Sequence, residues 1–490
     1  MLLSALVALP VVAGPLLRGA WDPWAQALVA AASAAGAALW LALRVSAGYV
    51  PLPSRRALAW AAAVAAAGSF SALAAPLSGE LPLEWPAHLV GLWIFMAVAV
   101  MPKDQRELVD QGVRAAAWVL MALAFYQRWA LADDRPESAL VNANVWAGTI
   151  LMLLPLAVDR RDWLLAGGLL VCLWWTKSVG AWLALSAATL LVTRWRGELK
   201  AWLALAGTLA CLVAVYDKFQ SPEVLDRMAW WRSAAAMALE RPWTGFGPGS
   251  FAAALPGFQA EGLGTVYAHQ YPLQAAAEYG VVFAVLWFGG LWRQLLRART
   301  YKRFGALAVL LQSLWDWPLS LPANLWLFCW LAGSATPESG EGAGVRLRWK
   351  LPLAAAALSA GAWAVLSVGG LWAADRDKAQ ARALLGEGRL DEAEALAVTA
   401  RRRRPDDSEA PLILAHADLA RAAAGLEPDR SLAGAAGALE ASLALNPYRP
   451  RAWRELSGVY RRLGDDARSA EALARGARAC PSLRGSGGAP

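Results

Sequence analysis

The sequence predicts an all-α protein: a polytopic membrane helix bundle followed by a soluble α-helical repeat domain. Three observations carry this. The 490 residues are 58% hydrophobic and only 17% charged, whereas a soluble globular chain carries about 25% charged residues. The deficit is confined to residues 1–373, a series of long apolar runs, while charge is dense from Asp375 onward. The runs are rich in Ala and Leu without period-2 alternation, which leaves helices as the structure that satisfies its backbone in lipid.

Crossing the hydrocarbon core takes about 20 apolar residues. The candidate spans, in order, are 2–17, 24–43, 57–76, 87–101, 113–131, 144–158, 163–176, 179–193, 201–216, 271–292, 304–318, 322–335 and 351–373. Several are short, so the expected count is about 11 to 13. The first run lacks a basic leader and is followed at once by another, so it reads as a retained span.

Basic residues alternate between loops. Arg44, Arg55 and Arg56 share one; Lys103, Arg106 and Arg114 flank another; Arg160 and Arg161, then Arg194, Arg196 and Lys200, follow. Arg293, Arg297, Arg299, Lys302 and Arg303 form the strongest set, and Arg346, Arg348 and Lys350 the last. Loops 78–85 and 133–138 between them are poor in bases. The positive-inside rule then puts the amino terminus in the cytoplasm, with segment 217–270 and the tail outside. The net charge of +8 is spent on topology, which argues against nucleic acid as a partner. Cys172, Cys211 and Cys329 lie inside apolar runs and Cys480 stands alone, so no disulfide framework is expected.

The expected domains are a membrane domain over 1–373, a helical domain over 374–482 and a disordered end over 483–490. Pro447 and Pro481 are 34 residues apart, and Gly388 and Gly464 each precede a proline by 17. That period, with Ala-rich amphipathic stretches between, resembles the tetratricopeptide repeat, a stacking unit that offers a docking surface for a protein partner. The 42-residue gap from Pro405 to Pro447 implies an insertion near 425–430.

Segment 217–270 is the one long loop expected in the membrane domain, and such loops are often functional. It holds Arg227, Arg232, Arg241 and His269, an amphipathic helix over 223–240, and a glycine turn from Gly245 to Phe251. The glycines do not follow a strand, which excludes a nucleotide fingerprint. Asp375-Arg-Asp377 matches a metal-binding pattern but reads as acidic residues at a helix start. Gln274 and Glu278 share a helix face beyond His269. Asn142 and Asn144, Lys177 and Ser178, and Asp316 all fall at the same outer face. A cationic, donor-rich surface there suits a lipid-linked phosphate or diphosphate.

Four stretches occur in a telling order: Asn142-Ala-Asn144-Val-Trp-Ala-Gly148, Thr176-Lys-Ser178-Val-Gly180, Arg241-Pro-Trp-Thr-Gly245-Phe-Gly247-Pro-Gly249, and His269-Gln-Tyr-Pro-Leu-Gln274-Ala-Ala-Ala-Glu278. Together, over about residues 140–335, they resemble the O-antigen ligase and polymerase superfamily, including bacterial protein O-oligosaccharyltransferases. The resemblance implies an inverting, metal-independent glycosyltransferase without a cofactor, in the bacterial inner membrane. Its donor would be a glycan on undecaprenyl diphosphate and its acceptor a hydroxyl on a glycolipid, glycan or protein at the periplasmic face. It implies His269 as the base that activates the acceptor, with Arg227 and Arg241 on the diphosphate. Val179 stands where the family commonly has arginine, and Lys177 is the expected substitute cation. Ala143 and Gln270 also depart from the family pattern. The rival readings are a transporter of lipid-linked saccharides and a membrane-anchored scaffold whose tail does the work. The transporter predicts internal repeats and polar residues at the bilayer midplane, neither of which the sequence displays, and the scaffold leaves the cations and His269 unexplained.

Overall fold

The computed structural model describes residues 1–81, 83–192, 222–259, 262–298, 300–335, 344–346 and 348–484. The expected span 201–216, Arg194, Arg196, Lys200, Cys211, Arg299 and residues 485–490 lie outside the described residues.

The apolar part begins with α1 (Leu2–Leu16), α2 (Pro23–Ser46), α3 (Arg55–Ala74), α4 (Glu84–Val100), α5 (Lys103–Trp129), α6 (Ala143–Asp159), α7 (Trp163–Trp175) and α8 (Val179–Val192). It continues with α9 (Pro222–Glu240), α10 (Tyr271–Tyr279), α11 (Val281–Arg297), α12 (Lys302–Gln312), α13 (Pro322–Ser334) and α14 (Lys350–Gly386). Among the described residues the only strands are β1 (Tyr49–Pro51) and β2 (Gly344–Arg346), an antiparallel pair with Tyr49 opposite Arg346. They tie together two basic loops that the charge pattern assigns to one face.

Helices α2, α3, α5 and α14 are long and apolar enough to cross a membrane. Helix α13 is buried along its whole length and α6 nearly so, which makes these two the core. The outer helices instead turn large apolar side chains away from the protein: Leu73 is 86% exposed, Leu351 81% and Leu366 75%. An exposed apolar shell around a packed core is what lipid as solvent permits and water penalises.

Three expectations at the ends of spans are corrected. The run 271–292 is not one helix: Gly280, at φ +90°, breaks it into α10 and α11. The run 304–318 stops at Gln312, and residues 313–317 form an irregular link before the 3₁₀ turn Pro318–Ser320. Helix α14 runs unbroken through 373/374 to Gly386. The Asp375-Arg-Asp377 pair therefore lies in mid-helix rather than at a helix start. Asp377 pairs there with Arg403, and the neighbouring Lys378 Nζ lies 2.5 Å from Asp407 Oδ2 and 3.2 Å from Glu409 Oε2.

Those ion pairs seat the tail on α14. It continues with α15 (Leu390–Arg403), α16 (Glu409–Ala423), α17 (Pro428–Leu445), α18 (Pro450–Arg462) and α19 (Asp466–Ala479), each packed on the next. Gly388, Gly425 and Gly464 follow α14, α16 and α18 at φ +76° each, a left-handed stop that a side chain would strain. The expected insertion appears mainly as extra length in α17, 18 residues against 14 in α15 and α19. Leu483 is buried in the tail's core beside Cys480, so order persists past the expected end at 482.

The tail also grips the other part directly. The Glu80 carboxylate, between α3 and α4, accepts from Ser408 Oγ at 2.5 Å, Asn446 Nδ2 at 3.1 Å and Arg449 Nη2 at 3.1 Å. Tyr448 packs on Phe246 and Phe258 at 5.9 and 6.0 Å. Glu80→Ala strands the Arg449 guanidinium and should weaken this docking by about 1–3 kcal/mol. Hydrogen exchange should then rise at 405–409 and 446–451 and stay unchanged in α6 and α13.

Candidate functional site at one end of the bundle

The site is built on α9 and the loop that folds back over it. Ser233 Oγ, on α9, donates to the Phe258 carbonyl at 3.2 Å, and Trp230 Nε1 to the Leu263 carbonyl at 3.3 Å. The glycine turn before them packs onto α10. Phe246 N donates to the Ala277 carbonyl at 2.9 Å and Gly247 N to the Glu278 carbonyl at 2.8 Å. Gly245 permits this approach: it sits at φ +61°, and a Cβ there would lie 2.3 Å from the Glu278 backbone. Gly245→Ala should therefore push the turn off α10, destabilise the fold by about 1–3 kcal/mol from the backbone strain alone, and so lower the melting temperature. An unchanged melting curve would contradict this packing.

Gln274 and Glu278 act within the same scaffold. Glu278 Oε1 accepts from Phe251 N at 3.3 Å and from Gln274 Nε2 at 3.1 Å, while Gln274 Oε1 accepts from Ala268 N at 3.0 Å. Both side chains are buried. Their chemistry is to hold the glycine turn and the residue before His269 in place. Behind them lies a cluster the sequence did not disclose. Buried His88, on α4, has Nε2 2.9 Å from Tyr271 Oη and Nδ1 3.1 Å from Tyr279 Oη, so it clamps α10 from the other side.

His269 itself is held at φ +54°, a left-handed backbone unusual for a side-chain-bearing residue. Its ring stacks on Trp230 at 5.2 Å and 22°, with Trp317 edge-on at 6.2 Å. Nδ1 lies 3.5 Å from Oδ1 of buried Asp316, an ion-pair distance without a hydrogen bond, and that oxygen accepts from Trp317 N at 3.0 Å. Asp316 sits in the irregular link after α12, and that break brings its carboxylate to the imidazole. On the adjacent residue the Trp315 carbonyl accepts from Arg227 Nη1 at 3.2 Å. His269, Asp316 and Arg227 thus meet around one link.

The other predicted residues divide. Arg241 is exposed on the glycine turn, its guanidinium 5.3 Å from the Phe246 ring centroid. Asn142 caps α6 by accepting from Asn144 N at 2.8 Å. Ser178 Oγ accepts from Ala181 N at 3.4 Å at the start of α8. Asn144 accepts through Oδ1 from Arg135 Nη2 at 3.2 Å, and through its carbonyl from Gln312 Nε2 at 3.0 Å. Lys177 hydrogen-bonds Asp134, and that bond, with the charge attraction, holds the Asp134 carboxyl below its usual range. The pair is exposed on both sides, so it gives Lys177 a partner without removing its charge. Arg135 was missed because its loop, 133–138, reads as poor in bases.

With this geometry in place, the chain can be set against known proteins. Residues 164–288 match the family model described as O-Antigen ligase. Neither a curated protein nor a solved structure matches the chain. The ligase-like stretch covers about a quarter of the sequence, from α7 into α11, and supports a ligase-like glycosyltransferase in general. It holds Lys177, Ser178, Arg227, Arg241, His269, Gln274 and Glu278; Asn142, Asn144 and Asp316 lie outside it.

Proposed function

We propose that this chain is a multi-pass glycosyltransferase of the bacterial inner membrane, transferring a glycan from undecaprenyl diphosphate to an acceptor hydroxyl at the periplasmic face. The observation that carries the reading is the imidazole of His269 beside Asp316, with Arg227 bound one residue away. The charge pattern of the loops supports an orientation with the His269 end and the tail outward.

In this mechanism the acceptor O–H gives its proton to His269 Nε2, the ring nitrogen not facing Asp316. The oxygen bonds to the anomeric carbon from the face opposite the diphosphate. The bond from that carbon to the diphosphate oxygen breaks, and the diphosphate leaves on its lipid. A positioned base contributes roughly 10²–10⁴ in rate. Asp316 orients the ring and stabilises its protonated form. Arg227 and Arg241 stabilise the charge that grows on the departing diphosphate, which is most effective where the donors are fixed in advance. The tail, read as a tetratricopeptide-like domain, stands against the glycine turn and offers a docking surface for whatever carries the acceptor.

The test is transfer by the purified chain in proteoliposomes, from an undecaprenyl-diphosphate glycan of known anomeric configuration. One undecaprenyl diphosphate should be released per glycan moved, and the new linkage should be inverted. A donor left intact, as a transporter or scaffold would leave it, or a retained configuration, would contradict the reading.

A further inference from the structure

The cations at the His269 end differ in whether a carboxylate pairs with them. Arg18 pairs with Asp22 at 3.1 Å, Arg128 approaches Asp134 at 3.6 Å, and Lys177 takes the same carboxylate. Among the described residues no carboxylate forms an ion pair with the Arg135 guanidinium, although its charge helps to hold the neighbouring Asp134 carboxyl low. Its guanidinium is fixed instead by two neutral acceptors, Nε to the Thr176 carbonyl at 3.2 Å and Nη2 to Asn144 Oδ1 at 3.2 Å. Its backbone is set by Arg135 N donating to Asp133 Oδ1 at 2.9 Å. Two of the five N–H groups are thus used, and the exposed remainder is free to donate.

The anchors tie Arg135 to the link that carries Asp316. Asn144 accepts from Gln312 Nε2 at 3.0 Å, the Gln312 carbonyl accepts from Trp315 N at 3.1 Å, and the Trp315 carbonyl holds Arg227 at 3.2 Å. Two guanidiniums that form no ion pair with a carboxylate among the described residues are therefore joined by one short hydrogen-bonded path through the 312–315 segment. The turn Thr176-Lys-Ser-Val-Gly180 supplies no guanidinium of its own; one reaches it from a separate loop. A fixed guanidinium presents a fork suited to two phosphate oxygens, which a point-charge ammonium such as Lys177 does not.

Resting on the glycosyltransferase reading above, we infer that Arg135 binds the diphosphate of the lipid-linked donor from the α6–α8 side, opposite Arg227, in the role that the sequence assigns to Lys177. The anchoring through Thr176 and Asn144 fixes the guanidinium before the donor arrives, so little side-chain freedom is lost on binding.

The test uses the full chain in lipid nanodiscs with undecaprenyl diphosphate and undecaprenol as probes. Wild type should prefer the diphosphate. Arg135→Gln keeps much of the hydrogen bonding but removes the charge. It should weaken diphosphate binding roughly ten- to a hundredfold and leave the alcohol unchanged, with Arg135→Lys between. Unchanged diphosphate affinity in R135Q overturns the assignment. So does an equal loss for both probes with a lowered melting temperature, which marks a structural role. A wild-type chain with no preference for the diphosphate would instead remove the functional reading, and this assignment with it.

Discussion

Replacing His269 with alanine should cut transfer roughly 10²–10⁴-fold, the range a positioned general base supplies, while the protein stays folded. The ring is only partly enclosed, at 20% side-chain exposure, and its main packing partner is the Trp230 face. Losing one such stack costs about 0.5–1.5 kcal/mol, too little to unfold a bundle whose core lies in α6 and α13. A drop in turnover with a melting curve shifted by only a few degrees therefore reports on chemistry. Asp316→Asn sharpens the point. Asparagine keeps the shape and still accepts from Trp317 N, but it removes the negative charge facing Nδ1. Turnover at saturating donor should fall while the KM for donor holds. A raised KM with unchanged kcat would mean that Asp316 shapes donor binding instead.

The second large effect belongs to Arg227. A fixed donor aimed at charge that develops in the transition state is worth about 10²–10³ in kcat when removed. On the proposed mechanism Arg227 is such a donor, anchored by its bond to the Trp315 carbonyl one residue from Asp316. Arg227→Ala should lose about that much at saturating donor. Arg227→Lys should recover only part of it, because a point charge does not reproduce the fork. Arg241 lies exposed over Phe246, so Arg241→Ala should cost less. The reverse order, with Arg241→Ala the more damaging, would move the leaving-group site to the outer side of the glycine turn.

Much of the bundle was legible because lipid imposes a simple rule: a run of apolar residues becomes a helix. What was not legible depends on tertiary contact. Glycine is common in membrane helices, so nothing local marks Gly280 as a break; its φ of +90° is required by the way Val281 N reaches back to the Pro242 carbonyl at 2.8 Å. The continuity of α14 was hidden for the opposite reason. A switch from apolar to charged residues at 373 resembles a boundary, yet no proline or glycine interrupts Leu371 to Leu385, and a helix stops for such signals, not for polarity.

At the site, the types of residue were visible and their pairings were not. His269 and Asp316, 47 positions apart in the sequence, meet only because α12 ends early. Lys177 looked like a free cation because its partner, Asp134, comes from a loop 43 residues away. Arg135 was obscured by the two aspartates that precede it. Gln274 and Glu278 carried a correct local signal, their shared helix face, whose purpose emerged only once the glycine turn was seen folded against it.

The most direct test of the spatial claim is to ask where a lipid diphosphate touches this chain. An undecaprenyl diphosphate analogue carrying a photoreactive group beside the phosphates can be cross-linked to the full protein in proteoliposomes and the labelled peptides read by mass spectrometry. Label should concentrate in 224–241, 265–273 and 313–317, and excess unlabelled undecaprenyl diphosphate should compete it away. Label on the basic loops at the opposite end, around 44–56 or 293–303, or label that competitor does not displace, would contradict the account.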